Sequence, residues 1–269
     1  MTINTVGNGC TTTVSPAGPY QGNALVTLTA QFNPATTVFI GWTLDGSYVG
    51  FANPLDFHVN NSSHNVLATC TPRPAFSDVN GGTPYNEAIV QLAARGVIKG
   101  LGDGSFGPGQ GIVRAQMAAI TVRLAGWSSL SRQNIFTDRC IPAGCVDDEL
   151  WNAVAVTAAF QVARGYEDNT YRPFDPVANI QAVAFITRTM VKLGYWQFQP
   201  DDVTLYPNVQ QGTGHRVDIA TYVHYAGAVP GTANPTNAWP AWDQNATRAY
   251  LAGIYWQAYA SYFGTDLVP

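Results

Sequence analysis

Residues 76–127 read FSDVNGGTPYNEAIVQLAARGVIKGLGDGSFGPGQGIVRAQMAAITVRLAGW. The rest of the chain is organised around this stretch. It predicts a lead-in turn, a helix, a glycine-rich loop and a second helix. Thr83 suits a helix N-cap with Pro84 at the first helical position, where proline's missing N–H is no loss. Ile89 and Leu92 follow at helical spacing, and Gly96 suits a C-terminal cap. GLGDGSFGPG then supplies turn after turn. Residues 112–124 restart the helical period, with Met117, Ile120 and Leu124 three and four residues apart.

The pattern returns twice. In residues 136–195, Phe136-Thr137-Asp138 repeats Phe76-Ser77-Asp78, and Asp168 to Pro173 repeats Asp103 to Pro108. Fourteen residues separate Gly100 from Arg114, and fourteen separate Gly165 from Asn179. Asn179 therefore takes the arginine position and Gln181 the acidic one. An insertion, 139–148, precedes the first helix of this unit. In residues 206–263, Tyr206-Pro207-Asn208-Val209 opens a third unit, and Ala226 to Gly231 repeats Arg95 to Gly100. Its loop is longer, with seventeen residues from Gly231 to Arg248, and holds Trp239 and Trp242. Helix pairs of this size cannot bury their apolar faces alone and must pack on one another.

The match residues of the first unit are Phe76-Ser77-Asp78-Val79, Ala88-Ile89, Leu92, Gly96, Gly100, Asp103 to Pro108 and Ile112-Val113-Arg114-Ala115-Gln116. With them the unit resembles the S-layer homology (SLH) repeat; the last five stand where that family has Ile-Thr-Arg-Ala-Glu. The resemblance implies a mainly α, pseudo-threefold domain over residues 72–269, with repeats at about 76–127, 136–195 and 206–263. Helices would gather at its centre and loops project as three prongs. It also implies anchoring to an anionic secondary cell-wall polysaccharide, often bearing pyruvate ketals, in grooves between repeats. Arg114 and Arg248 are then the candidate carboxylate contacts.

The motif has a physical logic. Its threonine caps a helix and its glutamate completes a capping box. The arginine then sits beside free N–H groups at the positive end of the helix, and a guanidinium grips a carboxylate with two hydrogen bonds. This chain departs from the motif. Val113 replaces the capping threonine, and Ala178-Asn179 has neither cap nor arginine. Thr247-Arg248 is kept but lacks the acid, so at most two grooves are expected to work. Lys99 and Arg164, each just before an aligned glycine, either add positive charge or are solvated surface residues. Trp239 and Trp242 are either sugar-stacking or packing residues, whereas Trp127, Trp151 and Trp196 are expected to fill the core. Asp78 and Asp138 are expected to bond nearby backbone.

Residues 1–71 read as all-β, with strands expected at 24–30, 37–42, 56–59 and 65–68 and a turn at Asp45-Gly46. Gly22, Val26 to Ala30, Phe39, Gly41-Trp42, Asp45-Gly46 and Asn53-Pro54-Leu55 resemble the small internalin-B-type bacterial repeat. That resemblance implies a compact β-grasp-like sheet serving as a spacer or adhesive unit. Phe39 and Trp42 are expected in its core. Thr71-Pro72-Arg73-Pro74 reads as a stiff linker.

Bulk composition bounds the function. Only 11% of the 269 residues are charged, against about 25% in an average globular chain. The formal charge of −4 argues against nucleic acid as a partner. No apolar run approaches the roughly 20 residues of a membrane span. MTINTVGNGC has no basic start or apolar core, so no secretory signal is expected there. Cys10 with Cys70 and Cys140 with Cys145 bracket two segments and suggest two disulfides; zinc ligation is the weaker alternative, and no metal or other cofactor is expected. Gly102 to Gly107 fits G-x-G-x-x-G without the strand a dinucleotide site needs. No acid–base pair or nucleophile motif makes a case for an enzyme. The expected function is a non-catalytic extracellular module of the bacterial envelope that anchors to an anionic glycan. The alternative is a structural subunit of an S-layer, a filament or a phage virion surface, whose partners are copies of itself or other surface proteins.

Overall fold

A computed structural model describes residues 2–60, 62–141, 144–200, 214–227 and 242–264. The chain divides into two compact units. One takes residues up to 75 together with 93–95 and those from 259 on; the other takes Phe76–Leu92 and Gly96–Ala258.

Among the described residues the first unit has seven strands in two sheets. β1 (Ile3–Asn8), β7 (His64–Pro72), β4 (Thr37–Leu44) and β5 (Ser47–Gly50) form one, in that order. β2 (Thr11–Ser15), β3 (Ala24–Gln31) and β6 (Leu55–Val59) form the other. The alternation expected of half-buried strands is plain in β6 and β7, where Leu55, Phe57, Val59, Val66, Ala68 and Cys70 are buried and their neighbours are not. Trp42 is fully buried, donates from Nε1 to the Ala52 carbonyl (2.8 Å) and meets Phe39 edge-on. The four expected strands are present. β1 and β2 escape a reading by hydrophobic pattern because they are polar; β1 is held by parallel pairing with distant β7. The Asp45-Gly46 turn has both residues at positive φ, 49° and 88°, as a two-residue hairpin of matching twist requires. The Asp45 carboxylate then reaches across to Asn65 N (2.8 Å) and His64 Nδ1 (2.7 Å). Within this unit Arg95 donates to the carbonyls of Phe39 and Ile40, both at 3.1 Å. Cys10–Cys70 ties the β1–β2 connection to β7.

Among the described residues there are three helix pairs, all in the second unit except positions 93–94 and 259–263: α1 (Asn86–Ala94) with α2 (Arg114–Leu124), α3 (Asp148–Ala159) with α4 (Asn179–Lys192), and α5 (Arg216–Ala226) with α6 (Arg248–Phe263). Each second helix begins at an aligned motif position: Arg114, Asn179 or Arg248. The insertion 139–148 makes a small hairpin of β8 (Cys140–Ile141) and β9 (Gly144–Cys145), closed by the second disulfide. One local expectation is corrected. α1 starts at Asn86, not Pro84, because Tyr85 has φ 58° and turns the chain out of the helical path. Thr83 Oγ1 instead accepts from Asn80 N (3.0 Å) in the preceding turn. The helix does end as expected: Gly96 lies at φ 70° and Val97 N donates to Leu92 O (2.9 Å).

The three pairs are joined by backbone. Ile112 N donates to Ala246 O (3.2 Å), Ala246 N to Val177 O (2.7 Å) and Val177 N to Ile112 O (3.0 Å), and all three residues are fully buried. These residues hold equivalent places just before α2, α4 and α6, so their bonds form a closed ring. A second cycle surrounds it. Arg114 N and Ala115 N donate to the carbonyls of Asp175 and Pro173. Asn179 N and Ile180 N donate to Gln244 and Trp242, and Arg248 N and Ala249 N to Gln110 and Pro108. Each second helix thus gives its first N–H groups to the loop of the next pair.

The capping box is divided among the three. Gln116 Oε1 accepts from Val113 N (3.2 Å) and Gln181 Oε1 from Ala178 N (3.1 Å), whereas Thr247 Oγ1 accepts from Tyr250 N (3.1 Å). No unit has both halves. Val113→Thr restores the missing half of the first box and is expected to raise unfolding stability by about 1 kcal/mol in denaturant titration. Cys10→Ser with Cys70→Ser opens a loop of 60 residues' separation; calorimetry is expected to show the β unit losing on the order of 4 kcal/mol by the chain-entropy relation.

Candidate functional site

The loop of each unit is fixed before any side chain can act as a site. Asp78 accepts from Phe106 N (2.7 Å) and Gly107 N (2.8 Å), and Asp138 from Tyr171 N (2.8 Å) and Arg172 N (2.6 Å). Both aspartates hold backbone, as expected. Asp103 and Asp168 repeat this within the loop, each binding the N–H and hydroxyl two residues on. A Cβ at Gly100 or Gly165 would strike the Phe76 or Phe136 ring and the Ser105 or Thr170 carbonyl, so only glycine lets the loop close.

Upon this frame the motif arginines reach from one unit into the next. Arg114 Nε donates to Tyr171 O (2.8 Å) and Nη2 to Arg164 O (2.9 Å). Arg248 Nε donates to Phe106 O (2.8 Å) and Nη2 to Lys99 O (2.6 Å). Tyr171 is the counterpart of Phe106, and Arg164 of Lys99, so the two arginines make the same contacts on different units. Each lies over the ring below it: Arg114 is 4.6 Å from the Tyr171 centroid, and Arg248 is 4.5 Å from that of Phe106. Burial pushes the Arg248 pKa down, and the negative charge of Asp78 partly offsets this. The first two helix N–H groups beside each arginine, expected to be free for an anion, are already bonded to loop carbonyls.

What distinguishes Arg114 is its charge balance. The residue is only 6% exposed, and among the described residues no carboxylate forms an ion pair with it or with Arg164. Both line a cavity of about 270 Å³ with Tyr166, Gln181, Arg188 and His215. Arg114 also lies 5.1 Å from the Tyr166 ring, which Arg172 covers at 3.8 Å. Arg188 is neutralised: Nε and Nη2 meet the two oxygens of buried Asp218 at 3.1 and 2.7 Å. Among the described residues the cavity therefore carries two guanidinium groups without a carboxylate partner, one buried and one exposed, and suits an anion.

The remaining candidates fall elsewhere. The Lys99 side chain pairs with Glu149 (3.3 Å), which also binds Arg123. Trp242 is half-buried, and its carbonyl receives Ile180 N. Trp239 lies outside the described residues. Trp196 is buried and stacked on Tyr225, while half-buried Trp127 stacks on Phe160. Sequence reasoning missed Arg188, although one arginine amid Ile186, Thr187, Thr189 and Met190 signals a buried partner.

The comparisons bear on this geometry. Residues 75–118 match the S-layer homology domain. The chain is 29% identical over 131 residues to a cell surface protein of Thermoanaerobacter kivui. It is 28% identical over 136 residues to a surface layer protein of Brevibacillus choshinensis. To a middle cell wall protein of Brevibacillus brevis strain 47 it is 26% identical over 136 residues. These alignments take in 46%, 50% and 50% of this chain but 16%, 11% and 12% of the relatives. The chain therefore spans less than a fifth of the length of the relatives it matches. No helix among the described residues is long and apolar enough to cross a membrane.

The bonds of Asp78 favour its charged form, the Phe106 N–H most of all, and hold its pKa below the ordinary carboxylate value. That contribution to stability is present above the unfolded pKa of about 4 and is lost as pH falls through the lower folded value. Asp78→Asn is expected to be less stable than the parent at pH 7. In denaturant titrations the difference should shrink steadily below about pH 4; a constant difference would refute this role.

Proposed function

We propose that this chain is a non-catalytic cell-surface module that binds an anionic cell-wall polysaccharide, of the pyruvylated kind the SLH resemblance implies, in the cavity beneath Arg114 and Arg164. The observation that carries the reading is Arg114, a buried cation without a carboxylate partner among the described residues, lining a cavity open to solvent. The cyclic hydrogen bonds of the three helix pairs support reading 76–127, 136–195 and 206–263 as three SLH repeats. The β unit then serves as a spacer of internalin-B type, and the whole belongs on the outside of a bacterial envelope. The names of the relatives favour that location.

Purified chain is to be sedimented with wall fragments before and after removal of their acidic substituents. Arg164→Glu is expected to weaken binding about tenfold or more, the loss of one charge-assisted contact. Its melting point should not move, because the side chain is exposed. Stripped fragments should bind the parent as weakly as intact fragments bind the variant. Unchanged binding by the variant would overturn the site.

One observation favours a second reading, an assembly module of an S-layer, filament or virion: both motif arginines spend donors on backbone carbonyls of neighbouring units. Ordered self-assembly of the purified chain without glycan would decide for it.

A further inference from the structure

A second cavity, of about 560 Å³, lies between the turn preceding α1 and the start of α6. Its walls include Asn80, Thr83, Tyr85, Pro108, Gly109 and Thr247. It shares no residue with the cavity of Arg114, and its described lining holds no Lys, Arg, His, Asp or Glu. Pro108 and Gly109 align with Pro173 and Phe174 of the next unit. The carbonyls of Pro108 and Pro173 make the same bond, to Ala249 N and Ala115 N. Where the second unit has the Phe174 side chain, the first has none. A Cβ at Gly109 would meet nothing within 4 Å.

The walls combine one aromatic ring with proline surfaces and a few uncharged polar groups. Asn80 Oδ1 accepts from Gly82 N (2.9 Å), and Thr247 Oγ1 accepts from Tyr250 N (3.1 Å). Among the described residues nothing accepts from the Asn80 amide N–H groups or the Thr247 hydroxyl, which are left as donors. An aromatic face, apolar walls and hydroxyl-scale donors without charge fit the apolar face and hydroxyl rim of a pyranose ring. The volume also suits one or two sugar residues. An apolar side chain from a partner protein would leave the rim donors unmatched.

We propose that this cavity is a subsite for an uncharged sugar residue, separate from the anion-binding cavity of Arg114. The assignment rests on the reading of the chain as a glycan-binding module. It adds that recognition has a neutral part, read by Tyr85, Asn80 and Thr247.

The test places a phenylalanine where the aligned position of the second unit has one, with Gly109→Phe in the full chain. The probes are wall-polysaccharide fragments, native and carboxyl-reduced, the latter having lost their charge. The parent is expected to bind reduced fragments measurably, with amide shifts at Gly82, Thr83 and Thr247 in NMR spectra. Gly109→Phe should weaken binding of both fragments about tenfold, while Arg164→Glu should weaken only the native one. Loss with Gly109→Phe counts only when its melting point matches the parent's; the amide shifts test the subsite without a variant. Reduced fragments that bind the parent and Gly109→Phe equally, or that shift none of these amides, would overturn the subsite. So would a Gly109→Phe change that alters only self-association in sedimentation, the mark of a protein partner. Native fragments indifferent to Arg164→Glu would instead overturn the anionic site, whatever the result at Gly109.

Discussion

Three buried hydrogen bonds, among Ile112, Val177 and Ala246, close on one another through the middle of the helical unit. A buried N–H or carbonyl left unbonded costs about as much as a lost hydrogen bond or more. One helix pair alone would leave such a donor and acceptor open, and two pairs would leave the ring unclosed. The apolar faces of the pairs make a similar demand, but apolar contact is non-directional. The ring is directional and fixes which residue of each pair faces the centre. The outer cycle, in which each second helix lends its first N–H groups to the next loop, extends that register to the surface.

That register explains the two motif arginines. A side chain at the first residue of α2 or α6 is carried to the loop of the adjoining unit, where two carbonyls and an aromatic face await it. The guanidinium fork suits two acceptors in fixed positions, which a lysine would not satisfy in the same way. The architectural role comes first, and the electrostatic one follows from what is missing. Arg188 has Asp218 beside it and contributes little field, whereas among the described residues no carboxylate forms an ion pair with Arg114. At the equivalent place in α4 stands Asn179, so the three interfaces between pairs are unequal in charge.

The β unit depends on a different constraint. Its polar first strand has little apolar surface to hold it in place. Parallel pairing with β7 and the Cys10–Cys70 bridge fix it instead. The Asp45 turn adds a polar clasp to His64 and Asn65 at the far end of β7. The two-sheet core that buries Trp42 can thus carry the polar strands β1 and β2 at its edges.

The sequence by itself determined the three helix pairs, the aligned starts of their second helices, the loop aspartates as backbone ligands and the central strands, and it suggested both cysteine pairings. All of these follow from local spacing, turn chemistry and the identities of a few residues. It misplaced the start of α1, because nothing in Thr83-Pro84 announces that Tyr85 will take a positive φ. It offered helix N–H groups to an anion that only the tertiary structure shows to be spent. It missed the Arg188–Asp218 pair, whose members lie 30 residues apart. Only the tertiary structure decided that Arg114 and Arg164 share a cavity, that the Lys99 side chain pairs with Glu149, and that a second cavity lies beside Gly109. Helix periods and turns are encoded within a few residues. Charge balance and empty space depend on partners that the chain brings together from distant positions.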